Sequence, residues 1–284
     1  MRRALLSVWL VLFALIAPLA LQAQSWVNQP FDARNMSRED TATVQAALAY
    51  TGDYFGYIDG VWNEGSQSAF VTYVTRVRGA GEPLFSDLRD LVLFLEDERV
   101  NNNWQVNYSP IANTSYLYPY GYMEAVEGKN DEEYLSTDGH FSLIIREGDL
   151  NGVKADHDWF LGKAVAGKEP FQYRDDVLWI TWADIENGMT AYARSDLYQG
   201  KWTTMSAVVN PEAYFRLNLM AGSTLVGNNN PGSLIWTSGG VIDQVINGVS
   251  SSAPPVAAAG GSRPEDQVDR PGKAAVVDTT PPWT

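Results

Sequence analysis

Only two histidines, His140 and His157, occur in the chain, and the acids nearest them in sequence are Asp138, Asp156 and Asp158. A zinc-dependent peptidase needs about three protein ligands and a general base, some of them at fixed spacing on one ordered element. Asp156-His157-Asp158 reads instead as a loop between strands, where neighbouring side chains splay apart and the aspartates cap backbone amides. For a serine nucleophile, the stretch Trp236-Thr237-Ser238-Gly239-Gly240 lacks the glycine two residues before the serine and the acid just before it. Ser238 reads as the cap of a short helix through Val241, Val245 and Ile246. Glu124, Glu127, Asp131, Glu132 and Glu133 offer paired carboxylates of the glycosidase kind, but the stretch reads as a solvated loop. Gly227-Asn228-Asn229-Asn230-Pro231-Gly232 reads as a linker, not a phosphate cradle. The expectation is a non-catalytic protein without cofactor or metal; the alternative is a hydrolase centred on His140, Asp156, His157 and Asp158.

The ends of the chain bound what can fold. Met1-Arg2-Arg3 followed by apolar residues from Ala4 to Leu21 reads as an export signal, residues 1–23, cut ahead of Gln24; the other reading is an uncleaved anchor. No later stretch is apolar enough to span a membrane, which places the processed chain in the periplasm or outside the cell. The absence of cysteine removes disulfides, thiol catalysis and thiolate metal sites, and leaves stability to packed cores. A net charge of −14 repels phosphate backbones, so nucleic acid is not an expected partner. Residues 250–284, built of Ser, Ala, Pro and Gly, bury too little to offset their ordering entropy and read as a disordered tail.

Between these ends, Ser37 and Asp40 open a short helix with Val44, Ala47, Leu48 and Thr51 on one face, stopped at Gly52. A loop from Asp53 to Trp62 follows, with Gly56 and Gly60 as pivots and Asp59 as a cap. Ser66 then caps a second helix carrying Ala69, Phe70, Tyr73 and Val77. Val44-Gln45, Leu48, Gly52, Tyr54, Gly56, Ile58-Asp59-Gly60, Trp62 and Gly65 through Phe70 together resemble the small peptidoglycan-binding domain common in wall hydrolases. Asn63, Glu64, Ser66, Thr51 and Val74 depart from that family's pattern. The resemblance implies an all-α module over residues 36–78 with peptidoglycan as partner. Aromatic faces stack on sugar rings, so Tyr54, Phe55, Tyr57 and Trp62, with Asp59, form the expected ligand-binding set; core packing and turn capping are the competing explanations.

Residues 79–107 read as a helical connector, because Leu84, Leu88, Leu91, Val92 and Leu95 keep helical spacing. From 108 to 228 the pattern alternates, with strands about Phe141–Ile145, Val177–Ala183, Thr190–Arg194 and Trp202–Val209, and a helix after Asn210-Pro211 ending at Gly222. This is an α+β layer with a C-terminal helix, followed by a short helix and linker over 229–249. Asp158-Trp159-Phe160 before a strand and a terminal helix is similar to the PsbP-like antiparallel domains of alphaproteobacterial envelope proteins, which implies a scaffold or accessory role. The whole therefore reads as a bacterial envelope protein anchored to the cell wall by its first module, with the second domain as a scaffold or as an interaction platform for a further envelope protein; a cell-wall hydrolase or protease-related enzyme with its site in the sheet domain is the alternative. Trp179 and Trp182 fall on opposite faces of one strand, so one of them stands uncovered unless the C-terminal helix covers one face and the Leu84–Leu95 helix the other.

Overall fold

The computed structural model describes residues 26–126, 131–231 and 234–248; the expected export segment 1–23, Glu127 and the tail 250–284 lie outside the described residues. No helix among the described residues is long and apolar enough to cross a membrane.

Helix α1, Arg38–Tyr50, begins where Ser37 Oγ accepts the Asp40 amide at 3.0 Å, as its sequence signature predicts. The apolar spacing predicts a single buried stripe, yet every residue from Asp40 to Tyr50 is buried. Small side chains explain the difference. Ala42, Ala46, Ala47 and Ala49 let neighbours approach from several sides. Thr41 and Thr43 donate back to the carbonyls of Ser37 and Glu39 at 2.8 and 3.0 Å, so their hydroxyls enter the core already satisfied.

Helix α2, Glu64–Arg78, is capped by Asn63, whose Oδ1 accepts the Ser66 amide at 2.9 Å; Ser66, the expected cap, is buried inside the helix. Asparagine and serine cap equally well, so residue type alone does not separate Asn63 from Ser66 as the cap. Val77 is exposed. Helix α3, Asp87–Asn101, buries Leu88, Leu91, Val92 and Leu95, while Leu84 lies ahead of it in a bridge to Pro30. It packs on α1.

Strands β1 (Trp104–Ser109) and β2 (Thr114–Pro119) form a three-stranded sheet with β10 (Leu225–Val226). Strands β3 (Met123–Val126), β4 (Glu132–Ser136), β5 (Phe141–Gly148), β6 (Phe171–Arg174), β7 (Leu178–Asp184), β8 (Thr190–Tyr198) and β9 (Lys201–Val209) form a seven-stranded sheet. Its order is β3-β4-β5-β9-β8-β7-β6, and it is antiparallel throughout. The chain is thus α+β with large antiparallel sheets. Gln199 and Gly200, at φ +50° and +80°, make the tight β8–β9 turn whose positive angles suit the twist of the flanking strands. Glu124, Glu132 and Glu133 sit on β3 and β4, not in a loop, because alternation with Val126, Tyr134 and Leu135 pairs them into the sheet.

The largest correction is helix α4, Leu150–Gly162, in a stretch that reads as loop around Asp156-His157-Asp158. Asp149 caps it, accepting the Gly152 amide at 2.8 Å. Only Val153, His157 and Phe160 are buried, and a stripe whose middle member is histidine escapes an apolar-period search. Helix α5, Tyr214–Ser223, runs one residue past Gly222 and follows the turn Pro211–Ala213. Helix α6, Val241–Asn247, has no side-chain cap from Ser238. Asp40 serves that end instead, its Oδ1 accepting the Thr237 amide at 2.8 Å and its Oδ2 the Val241 amide at 3.0 Å. Burial raises the Asp40 carboxyl above its ordinary value, and these amides work against the shift.

One core joins α1, α2, α3 and α6 with Leu219 of α5, and a second lies between the two sheets around Leu217 and Met220 of the same helix. Helix α5 therefore belongs to both. Trp182 meets Tyr192 and Tyr214 at ring distances of 5.4 and 5.8 Å on the α5 side, while Trp179 meets His157 of α4 at 5.6 Å. Both tryptophans are half-buried. The cover on the Trp179 face is α4, which strand alternation does not predict, and not the Leu84–Leu95 helix.

Candidate functional site

The loop from Asp53 to Trp62 is built around the buried amide of Gln45 in α1. Its Oε1 accepts the Gly60 amide at 2.8 Å, and its Nε2 donates to the Val61 carbonyl at 3.0 Å and faces Asp59 Oδ1 at 3.2 Å. Asp59 Oδ1 also accepts the Val61 amide at 2.9 Å, and the Asp59 carbonyl accepts Arg38 Nε at 2.9 Å. Gly60 sits at φ +72°, where a Cβ would lie 2.4 and 2.5 Å from Arg38 Cγ and its carbonyl oxygen. From the other side the loop docks on α5: the Ile58 amide donates to Gly222 O at 2.9 Å. A Cβ on Gly222 would stand 3.0 Å from Gly56 O.

This scaffold sorts the five expected ligand residues. Tyr54 is buried and donates to the Tyr57 carbonyl at 2.9 Å, so it belongs to the core and offers no face to a sugar. Burial raises its phenol above the ordinary value. Asp59 is committed to the turn. Phe55 is half-buried. Trp62 is half-buried among Phe31 and Phe70, and its Nε1 donates to Gln67 Oε1 at 3.0 Å. Tyr57 is 44% exposed, next to Val61 at 54%. The outward surface of the loop thus reduces to Tyr57, Val61 and the rims of Phe55 and Trp62. Gln45 was visible as one amide in an Ala-rich helix, but spacing alone gave it no partner.

The groups of the hydrolytic alternative do not converge. His140 precedes β5 and lies 3.5 Å from Asp138, and roughly 20 Å of extended strand separates it from Arg146, which pairs with Asp156. Asp158 is exposed, 3.7 Å from Arg174. Among the described residues there is no group of three or more His, Cys, Asp or Glu that could hold a metal.

His157 has partners the sequence did not reveal. Its Nδ1 lies 2.7 Å from Thr181 Oγ1, its Nε2 lies 3.1 Å from Ser195 Oγ, and Ser195 Oγ lies 2.7 Å from Thr204 Oγ1. A histidine beside a serine hydroxyl has the chemistry of a base and nucleophile, but both residues are fully buried and no substrate reaches them. Cross-strand pairing of Ser195 with Thr204 gathers these groups. Burial, followed by the Arg174 charge, pushes the His157 pKa down to about 4. The unfolded chain therefore binds an extra proton below about pH 6.5. Stability from this group is complete above that pH and is lost as pH falls towards 4, by roughly 3 kcal/mol in all. His157→Gln should flatten that part of the stability profile in urea unfolding across pH 4 to 7; parallel profiles for the two proteins would contradict the assignment.

No protein-family model, a peptidoglycan-binding one included, and no curated protein matches the chain. Among solved structures the chain is similar to the solution structure of cyanobacterial PsbP (CyanoP) from Synechocystis sp. PCC 6803. The identity is 14% and the TM-score 0.31, over 43% of this chain and 92% of that one. The likeness is weak, of the same PsbP-like kind as the resemblance in the sequence, and it carries no function to this chain.

Proposed function

We propose that the protein is a non-catalytic envelope protein that binds peptidoglycan through the Asp53–Trp62 loop, with the sheet domain as its scaffold. The observation that supports this reading is the Gln45-centred loop, which holds Tyr57 and Val61 at an exposed tip in a fixed backbone. A ring held in place loses little freedom on stacking against a sugar, which favours binding without any charged anchor. An acidic chain gains nothing from bulk attraction to a carboxylate-bearing wall, so the contact must be made by rings and hydrogen bonds.

The test is co-sedimentation of the full chain with purified sacculi. The whole protein is needed because the core of 36–78 is completed by α3, α5 and α6. Tyr57→Ala should weaken pelleting by about three- to tenfold with unchanged circular dichroism, since an exposed stacking ring contributes about 0.5 to 1.5 kcal/mol. Trp62→Ala should weaken it too, with some loss of stability from the Phe31 and Phe70 contacts. Wild-type protein remaining in the supernatant would end this reading.

A further inference from the structure

We propose that the groove between α4 and the β5–β9 face of the large sheet is a second binding site, for a neutral pyranose-containing glycan. The groove has a volume of about 420 Å3 and is lined by Ile144, Arg146, Asp156, Trp159, Phe160 and Ser206. Trp159 is 53% exposed although it is the largest side chain of α4. Its ring meets the buried Phe160 edge-on at 5.0 Å, which fixes it at the rim of the groove. Phe160 and Ile144 supply apolar walls, and Ser206 adds a hydroxyl.

The polar groups of the groove select the ligand class. Arg146 donates to Asp156 through Nε at 3.2 Å and through Nη2, and its side chain stays 43% exposed. The pair presents guanidinium donors and carboxylate acceptors side by side with no net charge. Vicinal hydroxyls are donors and acceptors together, and the C–H face of a pyranose suits an indole face. A neutral ligand adds no charge to the balanced Arg146–Asp156 pair, whereas an anion would meet the −14 charge of the chain. The Lys163 ammonium lies 5.6 Å from the Trp159 centroid. That contact is exposed and worth little, so a sugar displaces it. The groove shares no residue with the Tyr57 loop, so either site can exist without the other.

The experiment is isothermal titration calorimetry of the full chain with two neutral probes, chitotetraose and cellotetraose. At least one should bind with a dissociation constant of roughly 1 mM or tighter. Trp159→Ala and Arg146→Gln should each weaken binding about tenfold or more; both side chains are at the surface, and circular dichroism confirms folding. Tyr198→Ala, which removes an exposed ring on β8 outside both the groove and the 53–62 loop, should leave the titration unchanged. Binding of neither probe, or a Trp159→Ala protein that binds like the wild type, overturns the proposal. Loss with Tyr57→Ala alone moves the glycan to the loop, which also overturns it while sparing the wall reading. Trp159-dependent binding in a protein that fails to pellet with sacculi supports the groove and removes the loop reading.

Discussion

Glu98→Ala is expected to destabilise the fold by roughly 3 to 5 kcal/mol, the range for removing one partner of a buried ion pair. The Glu98 carboxylate accepts Tyr50 OH at 2.7 Å, Trp104 Nε1 at 3.1 Å, and Arg216 Nε and Nη2 at 2.7 and 3.0 Å. These donors come from α1, β1 and α5, so one side chain of α3 ties the helical core to the sheets. Truncation would leave the Arg216 guanidinium without its counter-charge in a site where its side chain is 19% exposed. Tyr50 and Trp104, both buried, would also lose their acceptor. Glu98→Gln, which keeps the volume, should recover only part of the loss, because an uncharged amide is a weaker acceptor and turns donors towards Arg216. Urea unfolding followed by near-ultraviolet dichroism, which senses Trp104, measures the effect. A loss under about 1 kcal/mol, the value of a solvated pair, would show that the network contributes little.

Gly60→Val should prevent folding or cost roughly 3 kcal/mol or more, for two separable reasons. A left-handed conformation costs an ordinary residue about 1 to 2 kcal/mol, and more when it is β-branched. In addition, any Cβ here collides with the Arg38 carbonyl at 2.5 Å, a backbone atom that cannot swing away. Gly79 provides the control: it has φ +86° and nothing within 4 Å of a Cβ. Gly79→Ala should show the conformational cost alone, while Gly60→Ala should show that cost plus the collision. Equal losses for the two alanine variants would mean that the loop yields at Arg38 and that Gln45 does not hold it rigidly.

What could be read from the sequence was local. Ser37 as a cap, the α3 stripe from Leu88 to Leu95, and the strands around Phe141, Trp179, Thr190 and Trp202 follow from short-range pattern, and each is present. Helix α4 was hidden because its inward stripe contains His157, whose polar ring is accommodated only by Thr181 and Ser195 of strands distant in sequence. Tyr54 reads as a surface ring for a related reason: its phenol finds an acceptor in the Tyr57 carbonyl, a bond created by the turn itself. Residue type does not single out Trp159 as an uncovered tryptophan, because its exposure depends on which face of helix α4 it occupies. In each case the deciding partner is supplied by tertiary structure, and residue type alone is silent about it.

The Asp40 carboxylate joins the first turn of α1 to backbone amides about 200 residues later. Closing so large a loop carries an entropic cost before any contact rewards it, and folding slows as contacting residues lie further apart along the chain. Val241, Ile242 and Val245 complete the core around Val44 and Leu48, so the first α-helix among the described residues has no finished surroundings until nearly the last described residues arrive. During synthesis the early helices must therefore wait, incompletely packed, and the chain acquires its stable form late and as a whole.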